Sequence, residues 1–168
     1  RNPQVLRAPN GVLLDSRDVS DAITTNEVGM LASAVAAIPE VRAGLLALQR
    51  QAGKEGGVIL DGRDIGTVVF PDADVKFYLD ASAEARAKRR FLQLREQGRP
   101  ADLAQLILDI QKRDADDMNR PVAPLRKAED ALLIDSTNMS RDEVVNRMAE
   151  RVHAQQTRIS LCANRHRA

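Results

Sequence analysis

Gly57-Val58-Ile59-Leu60-Asp61-Gly62-Arg63-Asp64-Ile65-Gly66-Thr67 is a short apolar run that ends in a glycine-flanked Arg-Asp pair. Such a run reads as a buried parallel strand, and the pair falls where that strand would leave its sheet. Ligand crevices of open α/β sheets form at those strand ends. Arginine offers a planar fork of donors suited to phosphate, and the neighbouring aspartate accepts from an amino group or hydroxyl. The pair therefore points to a phosphorylated, donor-bearing ligand, with a salt bridge or turn as the plainer alternative.

Upstream of this stretch, Gln4 to Arg7 and Gly11 to Leu14 are β-rich and joined through Pro9-Asn10-Gly11, whose Asn-Gly step favours a tight hairpin. A third strand is expected at Val19 to Ile23. Thr24-Thr25-Asn26-Glu27 has capping-box spacing, so a helix should begin there with Val28, Leu31, Ala32, Val35 and Ala36 on one face. A second helix is expected from Pro39 to Ala52, before Gly53-Lys54-Glu55-Gly56-Gly57 breaks the pattern.

Downstream, Val75 to Asp80 is β-rich, Ser82 is a candidate N-cap, and a basic helix runs to about Gln97, where Gly98 stops it. Further helices are expected at Asp102 to Asn119 and Arg141 to Thr157, with a buried strand at Ala131 to Asp135 between them. Strands separated by helices predict an α/β fold with a doubly wound parallel sheet and helices on both faces. Residues 161–168 read as a disordered basic tail.

The helix at 102–119 holds a second clue. Its apolar stripe Leu103, Leu106, Ile107 and Ile110 is continued on the same face by Arg113, Asp117 and Arg120. A charged line that prolongs a core-facing stripe must lie in a polar cleft or pair internally, because burying lone charges is costly.

Composition narrows the classes. With 25 Lys and Arg against 24 Asp and Glu, the net charge of +1 gives no bulk electrostatic hold on nucleic acid or membrane. A single cysteine, Cys162, excludes an internal disulfide and fits a reducing cytoplasm, and no metal site is visible in the chain. No stretch is long and apolar enough to span a bilayer. His153 and His166 lie in the closing helix and the tail, away from the polar sets.

Gly-Arg-Asp-Ile-Gly-Thr-Val-Val-Phe-Pro-Asp-Ala at 62–73 and Arg-Asp-x-x-Asp-x-x-Arg-x-x-x-Pro-Leu at 113–125 together resemble bacterial cytidylate kinase. The resemblance extends through Ala32-Ser33, Pro39-x-Val41-Arg42 and Asp135-Ser136-Thr137, covering roughly Gln4 to Thr157. It implies the P-loop nucleoside-monophosphate kinase fold and transfer of phosphoryl from ATP, with Mg2+, to CMP or dCMP, giving CDP or dCDP. By the same resemblance, Ser33, Arg42 and Asp64 contact the cytosine, Arg63 and Arg120 hold the CMP phosphate, and Arg113 with Asp117 meets the sugar. Residues 1–52 correspond to a CMP-binding subdomain with a small antiparallel β insert, and 53–160 to the kinase core. Within the core, about 83–100 is a mobile lid whose Arg86 and Arg90 join Arg63 and Arg120 around the transferring phosphate. The implied partners are small nucleotides, acting on a protein that is monomeric when complete and cytoplasmic.

The chain departs from the pattern in one respect: no Gly-x-x-x-x-Gly-Lys-Ser/Thr occurs in its 168 residues. The expectation is therefore the C-terminal majority of such a kinase, with the P-loop and the first, central strand lying before Arg1. That piece is expected to be inactive alone and poorly stable, since two strands would lack their shared neighbour. The alternatives are a CMP-binding or noncatalytic module without a P-loop, or an unrelated α/β interaction domain whose Arg-Asp sets are structural.

Overall fold

The computed structural model describes residues 5–8 and 11–165, with the side chains of 5–8, 26 and 161–165 left aside. It divides into two compact units, Arg1–Leu45 and Leu46–Ala168.

The first unit begins with an antiparallel sheet in the order β1 (Val5–Ala8), β2 (Gly11–Leu14) and β3 (Arg17–Asp18). The β1–β2 register closes with Ala8 opposite Gly11, as the hairpin reading requires, although the Pro9-Asn10 step itself lies outside the described residues. Between β2 and β3, Asp15 and Ser16 both take positive φ, 49° and 68°, the backbone of a type I′ turn between Leu14 and Arg17. That turn brings the third strand forward. Val19 to Ile23 is not a strand; Ser20 instead donates to and accepts around Asp18 and Val12, and a 3-10 turn occupies Ala22–Thr24.

Helix α1 (Asn26–Ala36) is capped by Thr25, whose hydroxyl accepts from the Val28 N–H at 3.2 Å. The expected capping box on Thr24 is thus displaced by one residue, because the Thr24 hydroxyl is taken by the Asp21 carbonyl at 2.8 Å. Leu31 and Val35, on the expected apolar face, remain exposed. Helix α2 (Pro39–Ala52) has the predicted bounds, with proline at the first position where its missing N–H costs nothing.

In the second unit, β4 (Phe77–Asp80) pairs in parallel with β5 (Leu132–Asp135), in the register Phe77 to Leu132 through Asp80 to Asp135. The sheet described is therefore mixed α/β in character but only two strands wide. The expected strand at 58–61 joins no pairing; Ile59 is 99% exposed, and Leu79 of β4 is half exposed. A parallel strand forms only beside a neighbour that takes its backbone bonds, and β4 finds that neighbour in β5 alone among the described strands.

Helices α3 (Ala83–Glu96) and α4 (Leu103–Asn119) start at the predicted caps: Ser82 accepts from Ala85 N–H, and Asp102 from Ala104 and Gln105 N–H. Gly98, at φ +69°, follows the end of α3. Between the two helices Ala87, Leu94 and Leu106 are buried, with Phe91, Ala101, Ile107 and Ile110 packed against them. The apolar stripe of α4 thus faces α3. Helix α5 (Arg141–Arg165) runs past its expected end at Thr157; no Gly or Pro stands at 158–165 to stop it. No single helix among the described residues is long and apolar enough to cross a membrane.

Every buried residue among those described lies in the second unit. Leu106→Ala should therefore lower the stability of that unit by about 2–5 kcal/mol, measured as a shift of the urea midpoint at unchanged slope.

Candidate functional site

The second unit gathers its charge where α4 ends. Arg120 is the last turn's cap, with φ −61° and ψ 140°, because the residue before Pro121 is driven out of the helical region. The chain then folds back: Leu125 N–H donates to the Asp117 carbonyl at 2.8 Å, and Arg120 Nε donates to the Ala123 carbonyl at 2.7 Å. Ala123 is held at φ +47°, a strained value for a residue with a Cβ.

At this turn the Asp117 carboxylate, 4% exposed, collects three guanidiniums. Arg63 Nε donates to Oδ2 at 3.1 Å, Arg113 Nε lies 4.0 Å from the same oxygen one helical turn earlier, and Arg120 Nη1 lies 4.0 Å from Oδ1. Three positive charges surround one negative charge. Two donors in the set, Arg113 Nε and Arg120 Nη2, are buried and make no hydrogen bond among the described residues. Buried donors of that kind are costly unless an acceptor reaches them. The chemistry of the set, fixed forks of positive donors around a carboxylate, suits a phosphate with nearby hydroxyls.

Arg63 arrives from a turn that the apolar run does not foreshadow. After Gly62, whose missing Cβ would sit 2.8 Å from Ile65 Cγ1, residues Ile65–Val69 form a π-helical turn. The Asp64 carbonyl accepts from Val68 N–H at 2.8 Å and Val69 N–H at 3.2 Å, and the Ile65 carbonyl accepts from Phe70 N–H at 2.7 Å. Asp64 itself is buried.

The two arginines assigned to the lid are engaged within α3 and its surroundings. Arg86 donates to Asp114 through both Nη atoms, at 2.9 and 2.5 Å, and to the Ala81 carbonyl through Nε. The bond to Asp114 holds its guanidinium still more firmly protonated. Arg90 donates to Gln93 Oε1 at 2.7 Å. Their neighbour Arg89 reaches the Ser136 carbonyl and hydroxyl beyond β5. Asp114, adjacent to Arg113, was given no part by the spacing of the α4 stripe; its partner lies 28 residues away, and no local pattern reports it.

Of the remaining expected residues, Ser33 lies on α1 and Arg42 near the start of α2, both in the first unit, where Arg42 Nη1 approaches the Ala36 carbonyl at 3.5 Å. Arg63, Arg113, Asp117 and Arg120 are brought together, with Asp64 next to Arg63 in the chain. Among the described residues no three His, Cys, Asp or Glu side chains converge as a metal site would need.

Replacing Asp117 with Asn leaves the three guanidiniums without a counter-charge and should destabilise the unit by roughly 3 kcal/mol, read from urea unfolding. The chain's one tyrosine gives a second readout. Burial, then Asp80 and Asp114, push the Tyr78 phenol above its ordinary value, while Arg86 opposes them. The fold thus favours the neutral phenol; that stabilisation is intact below about pH 10 and is lost as pH rises through the raised folded value. Absorbance of tyrosinate should give a midpoint above that of a free phenol, lowered in Asp114→Asn.

Residues 2–154 match the family described as cytidylate kinase. Among curated proteins, the chain is 54% identical over 145 residues to the cytidylate kinase of Syntrophotalea carbinolica, covering 86% of this chain and 62% of that protein. It is 52% identical to that of Caldicellulosiruptor saccharolyticus, covering 83% and 62%, and 52% identical to that of Vibrio parahaemolyticus, covering 85% and 63%. The chain therefore spans about three-fifths of the length of the relatives it matches. With its α/β core and an arginine cluster around one buried aspartate, it belongs to the cytidylate kinase family.

Proposed function

We propose that this chain carries the acceptor-nucleotide site of a P-loop nucleoside-monophosphate kinase that converts CMP or dCMP to the diphosphate with ATP. The observation that supports this best is the Arg63–Arg113–Arg120 cluster on Asp117, with two buried guanidinium donors left over for a ligand. A nucleoside monophosphate brings what the cluster lacks: a dianionic phosphate for Arg63 and Arg120, and sugar hydroxyls for Arg113 and Asp117.

In the reaction, a phosphate oxygen of CMP forms a bond to the γ-phosphorus of ATP as the bond from that phosphorus to the bridging oxygen breaks, releasing ADP. No protein nucleophile takes part. The acceptor and donor phosphates repel one another, and the arginines offset that repulsion while holding the attacking oxygen in line. Asp64, with Ser33 and Arg42, is assigned to the cytosine. A carboxylate accepts from the cytosine amino group, whereas uracil presents an acceptor there and would be repelled. Arg86 and Arg90 are assigned to the transferring phosphoryl; for Arg86 that approach requires giving up Asp114 and the Ala81 carbonyl.

The donor belongs to the family reading as ATP with Mg2+, whose charge neutralises the phosphates when bound. The 168 residues contain no glycine-rich P-loop motif, so this chain's own contribution is to the acceptor, and by itself it should bind CMP without turning it over.

Titration calorimetry of CMP and of UMP against the chain, with turnover measured on the product of its whole gene, tests the proposal. Selective CMP heat and ATP-dependent formation of CDP are expected. Asp64→Asn should reduce the preference for CMP over UMP by about 10-fold or more, the scale of one buried polar contact. Equal response to CMP and UMP in the folded, unsubstituted protein would sink it.

A further inference from the structure

The Arg63–Asp64 pair is positioned, among the described residues, by contacts other than strand pairing. The run that precedes it, Val58–Leu60, joins no ladder, and Ile59 projects almost fully into solvent. Arg63 is held by the Asp117 carboxylate at 3.1 Å, and the Asp64 carbonyl is held from downstream by the N–H groups of the π-helical turn.

That turn is gripped at its far end by one side chain. Arg50, in the last turn of α2, donates from Nε to the Val69 carbonyl at 3.2 Å and from Nη2 to the Val68 carbonyl at 3.0 Å. These are the terminal carbonyls of the turn, the end at which a positive charge is stabilising and orphan acceptors need donors. The same Val68 and Val69 send their N–H groups back to the Asp64 carbonyl. One guanidinium thus pins two of the three residues that donate to the Asp64 carbonyl, the third being Thr67. Close contact reinforces the grip: Gly53, just past α2, lets the Phe70 ring come so near that a Cβ would lie 2.4 Å from its Cζ. Val69 itself is 2% exposed, so the turn cannot slide along its carbonyls without disturbing a buried side chain. A π-turn is an uncommon and locally costly backbone, kept where something outside it over-determines its shape.

We infer that Arg50 is a positioning residue for base selection: by capping the Val68 and Val69 carbonyls it fixes the direction in which the Arg63–Asp64 pair meets the acceptor nucleotide. The inference rests on the function proposed above, since it gives Asp64 the cytosine. Arg50 touches neither nucleotide; it acts through the turn. Its loss should be felt in nucleotide discrimination, and the donor site should be indifferent to it.

The test uses the product of the whole gene, unsubstituted and as Arg50→Ala and Arg50→Lys, with KM and kcat measured for CMP, UMP and ATP. Turnover of CMP by the unsubstituted protein comes first, because its absence would remove the proposed function and not this inference alone. Given that turnover, Arg50→Ala should raise KM for CMP by about 10-fold and reduce the CMP-to-UMP ratio of kcat/KM by a similar factor, with KM for ATP changed less than about 2-fold. Arg50→Lys, which can reach one carbonyl, should recover part of the ratio. A stabilising cap with no part in selection would lower Tm and scale the rates with both acceptors alike. An unchanged CMP-to-UMP ratio in folded Arg50→Ala overturns the inference, as does failure of both variants to fold, which would assign Arg50 to stability.

Discussion

The buried carboxylate of Asp117 imposes the condition that shapes the second unit. A carboxylate taken out of water costs several kcal/mol unless cations and donors surround it. Here Arg63, Arg113 and Arg120 meet that requirement from two separate stretches of chain. Two of the three sit on or at the end of the same helix as the aspartate, at spacings that a helix delivers without further help. The third, Arg63, comes from 54 residues earlier, and its bond to Asp117 ties the π-helical turn to α4. The result is over-supplied with positive charge, a condition that is tolerable in a site that receives an anion.

Around that centre the other polar contacts read as anchors for the elements that bear it. The seam of Ala87, Leu94 and Leu106 joins α3 to α4 without direction, since apolar contact specifies proximity more than register. Direction comes from Arg86, whose paired bonds to Asp114 fix how the two helices sit lengthwise, one residue away from Arg113. Arg89 does the same between α3 and the end of β5, through Ser136, which in turn bonds the Asp80 carbonyl. Long arginine side chains thus link elements that share little apolar surface, in a chain poor in aromatic residues.

Much of this was legible beforehand where the cause is local. Ser82 and Asp102 cap the helices they were expected to cap, Pro39 opens α2, and the stripe from Leu106 to Arg120 keeps its protected face. The misreadings have local causes too. Thr24 and Thr25 compete for one capping role, and the Asp21 carbonyl settles the competition. Asp15 and Ser16 accept left-handed backbone without glycine, so the turn between β2 and β3 carried no glycine or proline to mark it. The closing helix outran its expected end because nothing in 158–165 opposes it.

The sequence by itself determined helices α2 to α4, the caps Ser82 and Asp102, the β-hairpin pairing and the face on which Arg113, Asp117 and Arg120 fall, because each depends on spacing within a few residues. Only the tertiary structure decided which partner each long side chain takes: Arg63 with Asp117, Arg86 with Asp114, Arg89 with Ser136 and Arg50 with the Val68 and Val69 carbonyls. It also decided that a π-helical turn follows the Arg-Asp pair. The reason is physical. A guanidinium on a flexible stem can reach many acceptors, and which one it meets depends on how distant segments pack, whereas a helix cap or an alternating strand is fixed by its immediate neighbours.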